Sequence, residues 1–136
     1  MSEYIKRKCV GGAIRPRVIY CGRAGRKGIG VFAGESFKKG DSIEECEVIF
    51  FPKKEVPYLK KTQIECYYYC WKGGSAVLPL GFGALYNHSS HANAEWTHNY
   101  QTRRMIMIAL VPIKKGEEIT VDYMLTPDET WFKAID

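Results

Sequence analysis

Short apolar runs separated by glycine, proline and lysine turns set the pattern of this chain. Arg17-Val18-Ile19-Tyr20-Cys21 is rich in β-branched and aromatic side chains and predicts a first strand. A basic, glycine-rich turn over residues 22–28 leads into a second strand, Gly28-Ile29-Gly30-Val31-Phe32-Ala33. After a turn at Lys38-Lys39-Gly40-Asp41, residues 42–51 alternate poorly but are rich in Ile, Val and Phe, which suits a strand buried on both faces. Pro52 and Pro57 bracket a break, and then the period changes. Leu59, Ile64, Tyr67, Tyr68 and Trp71 fall at spacings that predict a helix over residues 58–71, its aromatic stripe packed inward and its end at Gly73-Gly74.

The run Leu80-Gly81-Phe82-Gly83-Ala84-Leu85-Tyr86 stops abruptly at Asn87-His88-Ser89. It reads as a buried strand whose tip delivers Asn87 and His88 to one place; the plainer alternative is a strand ending in a polar turn. Buried Asn and His side chains are costly unless their donors and acceptors are used. Glycines on the approach indicate that a backbone or a ligand packs close. Residues 95–100, 104–111 and 118–123 predict three more strands, with 104–111 the most apolar and central, and Pro112-Ile113-Lys114-Lys115-Gly116 turns the chain between the last two. The count is about seven strands and one helix, a mostly-β fold with a helical insert at about 53–74. Residues 1–16 lack clear periodicity and read as an N-terminal extension to a domain at 17–123, with a C-terminal segment at 124–136.

A length of 136 residues allows one domain with a real core and no second one. No apolar run approaches the roughly 20 residues needed to span a bilayer, and the basic N-terminus has no apolar region behind it to act as a secretion signal. These features predict an intracellular protein. Five cysteines (Cys9, Cys21, Cys46, Cys66, Cys70) show no C-x-x-C pair, and Cys66 and Cys70 would share a face of the predicted helix. Four zinc ligands do not assemble from them, so no metal site is expected, and reduced thiols are the better reading. The net charge of +5 is lopsided: residues 1–30 hold eight basic side chains against one acidic, while the remainder holds 12 against 14. Such a basic third suits contact with nucleic acid or an acidic partner, or it is simply a solvated face. No recognition helix supports sequence-specific DNA binding.

Gly28-x-Gly30 lacks the third glycine and the following helix of a dinucleotide site, which excludes that reading. Tyr123 ends a strand, where a tyrosine is ordinarily a packing residue. Taken together, three segments carry more. Gly28-Ile29-Gly30-Val31-Phe32-Ala33, then Leu85-Tyr86-Asn87-His88-Ser89 with Asn93, then Gly116-Glu117-Glu118-Ile119-Thr120-Val121-Asp122-Tyr123 resemble, in order and spacing, the motifs of the SET domain. The resemblance covers residues 17–123 and is nearest to short viral-type members, which also place Gly-Phe-Gly-Ala before Asn-His-Ser.

What the resemblance implies is a fold of small β-clip-like sheets with a pseudoknot, in which the Asn-His-Ser segment and the last strand pass through one another. It implies a protein-lysine methyltransferase using S-adenosyl-L-methionine, with a histone or histone-like tail as substrate, a nuclear site if it acts on chromatin, and a homodimer. On family precedent Gly28, Ile29, Gly30, Asn87, His88, Tyr123 and Trp131 bind the cofactor, and Tyr123 is catalytic. Tyr68, in competition with Tyr67 and Tyr69, is the expected wall of a lysine channel. Val121 stands where many members place a Phe or Tyr that limits methyl number, and its small side chain favours more than one methyl; Trp96 is spaced to restore that restriction. The cysteine-rich zinc-binding flanks of many relatives are missing, so Trp131 or Phe132 must close the site.

Methyl transfer fits this equipment. A lysine amine has a reference pKa of about 10.4 and is almost wholly protonated near neutrality, a form that cannot attack. A narrow apolar channel and a neighbouring sulfonium both disfavour the ammonium. What is left is to hold nitrogen, methyl carbon and sulfur in line, with tyrosine faces accepting the alkyl stem.

Overall fold

The computed structural model describes residues 17–123. Strand β1 (Ile19–Arg23) pairs antiparallel with β2 (Ile29–Ala33), and β2 pairs with β9 (Glu118–Val121). The long β3 (Ser42–Phe51) lies between β8 (Arg104–Ala109) and β5 (Ala76–Pro79), with the two-residue β4 (Tyr69–Cys70) outside β5. β7 (Ala94–Asn99) joins β8 to β9, and β6 (Asn87–His88) runs parallel to β9. The result is three small sheets that share β3 and β9, a mostly-β fold as the apolar runs predict.

Packing follows the alternation of each strand. Val31, Ala33, Ile43, Met107, Ala109, Ile119 and Val121 meet Phe37, Tyr86, Ala94 and Ile113 in the main core. A second cluster joins Val48, Val77 and Met105 to Trp71, and a third joins Leu59, Tyr68 and Ala76 under the insert. β8 is central, between β7 and β3, in line with its apolar sequence. β3 is not buried on both faces: Cys46 and Val48 point inward, whereas Ile49 is 39% exposed.

Two expected elements take other forms. The helix over 58–71 shrinks to α1 (Val56–Leu59), followed by a single 3-10 turn at Gln63–Cys66 and then β4. Thr62 breaks it: the residue is extended (φ −124°, ψ 170°), and its hydroxyl donates to the Leu59 carbonyl and accepts from the Ile64 N–H. Beyond it, Tyr69 and Cys70 find hydrogen-bonding partners on β5, and the β preference of aromatic residues is realised instead of their helical spacing. No helix therefore joins Cys66 to Cys70, and they do not share a helical face. The run at 80–89 is likewise no continuous strand. Residues 81–85 form a turn, closed by Gly83 N–H to the Leu80 carbonyl (3.2 Å) and Leu85 N–H to the Phe82 carbonyl (2.8 Å), so only Asn87 and His88 pair as a strand.

Among the described residues no helix is long and apolar enough to cross a membrane, and no group of three His, Cys, Asp or Glu side chains converges as a metal site would.

Candidate active site

The site is built around β9. On one side lies the turn into β2, where Gly28 has φ 82° and ψ −120°, a conformation closed to side chains other than hydrogen. Gly30 follows in β2 beneath Asn87: a Cβ there would stand 2.4 Å from Glu118 Oε2 and 2.9 Å from Asn87 Nδ2. Bare backbone is what lets the second segment approach. Asn87 uses both protons of its amide group, donating to the Ile29 carbonyl (3.1 Å) and to Glu118 Oε2 (2.8 Å), which leaves Oδ1 as the accepting atom of this side chain. Lys27 reaches from the same turn and donates to the His88 carbonyl.

On the other side the 86–93 loop grips β9. Ser89 N–H donates to the Val121 carbonyl (3.0 Å), Asn93 Nδ2 to the Glu118 carbonyl (2.8 Å), and Thr120 N–H to Asn93 Oδ1 (2.9 Å). Tyr123 N–H donates to His88 Nδ1 (3.1 Å), so a neutral imidazole keeps its proton on Nε2; Asp122 Oδ1 lies 3.7 Å from Nδ1. The Tyr123 hydroxyl donates to the Tyr86 carbonyl, and its ring lies 5.3 Å from that of His88. Gly28, Ile29, Gly30, Asn87, His88 and Tyr123, far apart in sequence, therefore meet. Val121 is buried beside them, paired with His88 across the parallel strands.

The expected channel residues divide. Trp96 is at the site, its ring 5.6 Å from Tyr86 and 5.8 Å from Tyr69. Tyr68 is not: it is buried with Leu59 and Ala76 beneath the insert. Tyr69 is the tyrosine that lies beside Tyr123, edge-on with ring centroids 6.3 Å apart. The reason is the strand. Tyr68 directly precedes the extended residues of β4, along which successive side chains turn to opposite faces, whereas a helix would have aimed residue 68 by its three- and four-residue period. Trp131 lies outside the described residues. Sequence reasoning gave no role to Tyr86, although an aromatic directly before Asn87 in a buried run was a usable signal, and nothing in the motif of Glu118 singles it out for Asn87.

Electrostatics narrows what these groups do. Burial pushes the Tyr123 phenol up to about 12, with the Glu118 carboxylate adding to it. Burial likewise raises Tyr69 and, more strongly, Tyr86. All three hydroxyls stay protonated near neutrality, so they act as hydrogen-bonding groups and not as phenolate bases. Trp96 Nε1 is buried without a hydrogen-bond partner among the described residues.

A last strand enclosed by a loop, with a Gly-x-Gly turn, an Asn-His pair and a buried tyrosine around it, defines a SET-type fold. Comparison with known proteins agrees. The SET domain pattern matches residues 28–124. A Schizosaccharomyces pombe histone-lysine N-methyltransferase specific for H3 lysine-37 is 34% identical over 109 residues, 79% of this chain and 72% of that protein. The crystal structure of a Plasmodium falciparum protein described as a candidate histone methyltransferase superimposes with a TM-score of 0.70 at 32% identity, covering 88% of this chain and 100% of that one. A chain of ctPRC2, in an autoinhibited conformation bound to S-adenosylmethionine, shares the fold with a TM-score of 0.66 at 19% identity, covering 84% of this chain and 16% of that one. The chain belongs to the SET-domain family of protein-lysine methyltransferases.

That family uses S-adenosylmethionine, and the residues present fit such a group. Gly28 offers bare backbone with open space where a side chain would stand, and Asn87 Oδ1 offers an acceptor. The Tyr86 carbonyl and Tyr123 hydroxyl bring two oxygens together, which suits a cationic sulfonium and its methyl.

Proposed function

We propose that this chain methylates a lysine of a histone or histone-like tail. The reading is carried by one juxtaposition: the Tyr123 hydroxyl on the Tyr86 carbonyl, flanked by Tyr69 and Trp96, one residue before the Asn87 that bonds the Ile29 carbonyl of the Gly28–Gly30 turn. Bound S-adenosylmethionine would supply an electrophilic methyl group on sulfur. Gly28, Ile29, Gly30, Asn87 and His88 hold that cofactor in this reading, and Trp131 covers it. Tyr69, Trp96 and Tyr123 form the walls of a channel that strips water from the lysine and favours its neutral amine. Tyr123 and the Tyr86 carbonyl align the amine with the methyl, which is worth several powers of ten in rate without any base. Val121, small and buried, leaves room for more than one methyl, while Trp96 narrows the facing wall.

The proposal extends to partners and place: a nuclear enzyme, a homodimer like the short viral-type relatives, and nucleic-acid contact through the basic N-terminal region. Radiolabelled transfer to mixed histones and cell lysate by wild type and Tyr123→Phe tests the activity. Label on histones that falls about 100-fold or more in the variant is the expected result. Label on another protein alone moves the substrate, and cofactor binding without transfer by wild type replaces the enzyme with a SET-like binding module.

A further inference from the structure

β3 carries an irregularity that matters to the site. Its pairing with β8 shifts register between Ser42, opposite Ile108, and Glu44, opposite Met107. The bulge lets Ile43 enter the main core while Glu44 keeps the inward face of Cys46 and Val48. A carboxylate is thereby placed under the 81–85 turn. Its Oε2 accepts the Phe82 N–H (2.9 Å), and its Oε1 accepts the Tyr86 hydroxyl (2.8 Å). Nothing larger than glycine fits above it, since a Cβ on Gly81 would stand 2.5 Å from Oε2. Burial raises the Glu44 pKa, and the hydrogen bonds from the Phe82 N–H, the Tyr86 hydroxyl and the Cys46 thiol work against that rise. Even a partly buried carboxylate is costly to place, so its position beneath a glycine turn calls for a reason beyond packing.

The reason lies one residue on. Tyr86 is fully buried, its ring touches Trp96, and its carbonyl receives the Tyr123 hydroxyl. Glu44 thus fixes both ends of the residue against which Tyr123 is set: the ring through its hydroxyl, and the approaching backbone through Phe82. We infer that Glu44 is a positioning residue for methyl transfer, acting through Tyr86 to hold the Tyr86 carbonyl and the Tyr123 hydroxyl at one spacing. This rests on the methyltransferase reading above. The role requires a carboxylate: both of its oxygens accept, whereas glutamine has one accepting oxygen and turns its NH2 on the second donor.

The test uses Glu44→Gln, Tyr86→Phe, the double variant and Tyr123→Phe in the full chain, assayed on a histone peptide, with thermal melting and calorimetric cofactor affinity alongside. Each of the first two lowers kcat about tenfold or more, while cofactor Kd and peptide KM stay within about twofold. The double variant loses no more than the worse single one, because both substitutions break one chain of contacts. Unchanged kcat in folded variants, losses that multiply in the double, or losses seen only in KM or cofactor Kd overturn the inference. Full activity in Tyr123→Phe overturns the underlying reading instead. Should Glu44→Gln fail to fold, Tyr86→Phe, which keeps the ring and removes one oxygen, decides by the same criteria.

Discussion

Gly30→Ala adds one methyl group where β2 passes beneath Asn87. The new carbon would lie 2.4 Å from Glu118 Oε2, 2.9 Å from Asn87 Nδ2 and 3.0 Å from Ala24 Cβ. Comfortable non-bonded separations are about 3.5–4.0 Å, so the Glu118 carboxylate must retreat by roughly 1 Å. The atoms displaced are the two that bond each other at 2.8 Å. A hydrogen bond to a charged group contributes about 1.5–3 kcal/mol, and partial exposure of Glu118 places this one at the low end. A loss of about 1–2 kcal/mol is expected, which for a domain of this size lowers Tm by about 4–8 °C. Asn87 loses the partner that orients it, so cofactor affinity falls about tenfold, close to 1.4 kcal/mol. Calorimetric melting and titration with S-adenosylmethionine measure the two effects. In a Glu118→Ala background the same substitution is milder by about 1 kcal/mol, because the nearest obstacle is gone. A melt within about 1 °C of wild type with unchanged affinity would refute the argument that Gly30 is required by this approach.

Asn87→Ala weakens cofactor binding more than Tyr123→Phe does, since the proposed function assigns Asn87 to the cofactor and Tyr123 to the transfer step; equal losses by calorimetry would dissolve that division. Tyr69→Ala lowers kcat/KM for a peptide at least about tenfold, whereas Tyr68→Ala costs about 3–5 kcal/mol of stability and leaves turnover per folded molecule unchanged. The reverse pattern would return the channel to Tyr68. Alkaline unfolding reports on Tyr123, whose phenol is raised to about 12 from 10.0. Below pH 10 folded and unfolded chains both hold this proton; above it the unfolded chain loses it first, so stability falls by roughly 1.4 kcal/mol per pH unit up to about pH 12. Denaturant titrations between about pH 9 and pH 11.5 show a shallower decline in Tyr123→Phe, and identical slopes would contradict burial as the cause.

What could be read from the sequence divides by range. β2, β3 and β8 were legible as strands because each is a continuous β-rich run whose neighbours are turns, although the solvent-facing Ile49 shows that the run alone does not fix which faces of β3 are buried. The site was legible because Gly28-x-Gly30, Asn87-His88 and Asp122-Tyr123 are polar or glycine interruptions that apolar strands have no local use for. The insert was misread for the opposite reason. Leu59, Ile64, Tyr68 and Trp71 have helical spacing, but Leu59 sits on α1, Ile64 on the 3-10 turn and Tyr68 and Trp71 on either side of β4, and Thr62 interrupts the helix by a hydrogen bond that spacing does not record. β5 escaped notice because Ala76-Val77-Leu78-Pro79 is short and ends in proline, which is tolerated there at the strand's last residue.

The polar residues at the centre serve the fold and the chemistry at once, and geometry explains why. β6 has only two residues, too few for a parallel pair to hold itself against β9. The 86–93 loop makes up the shortfall with side chains: the Asn93 amide bonds to β9 as a neighbouring backbone would, and His88 Nδ1 takes the Tyr123 N–H. Closing the long chain loops that bring residues 28, 87 and 123 together costs little more than closing short ones, because that entropy grows only logarithmically. Their meeting must instead be fixed locally, by hydrogen bonds that buried Asn and His need in any case. Most substitutions here will therefore damage folding and methyl transfer together. Tyr123→Phe and Tyr86→Phe, each removing a single oxygen from a ring that keeps its packing, are the changes that pull the two apart.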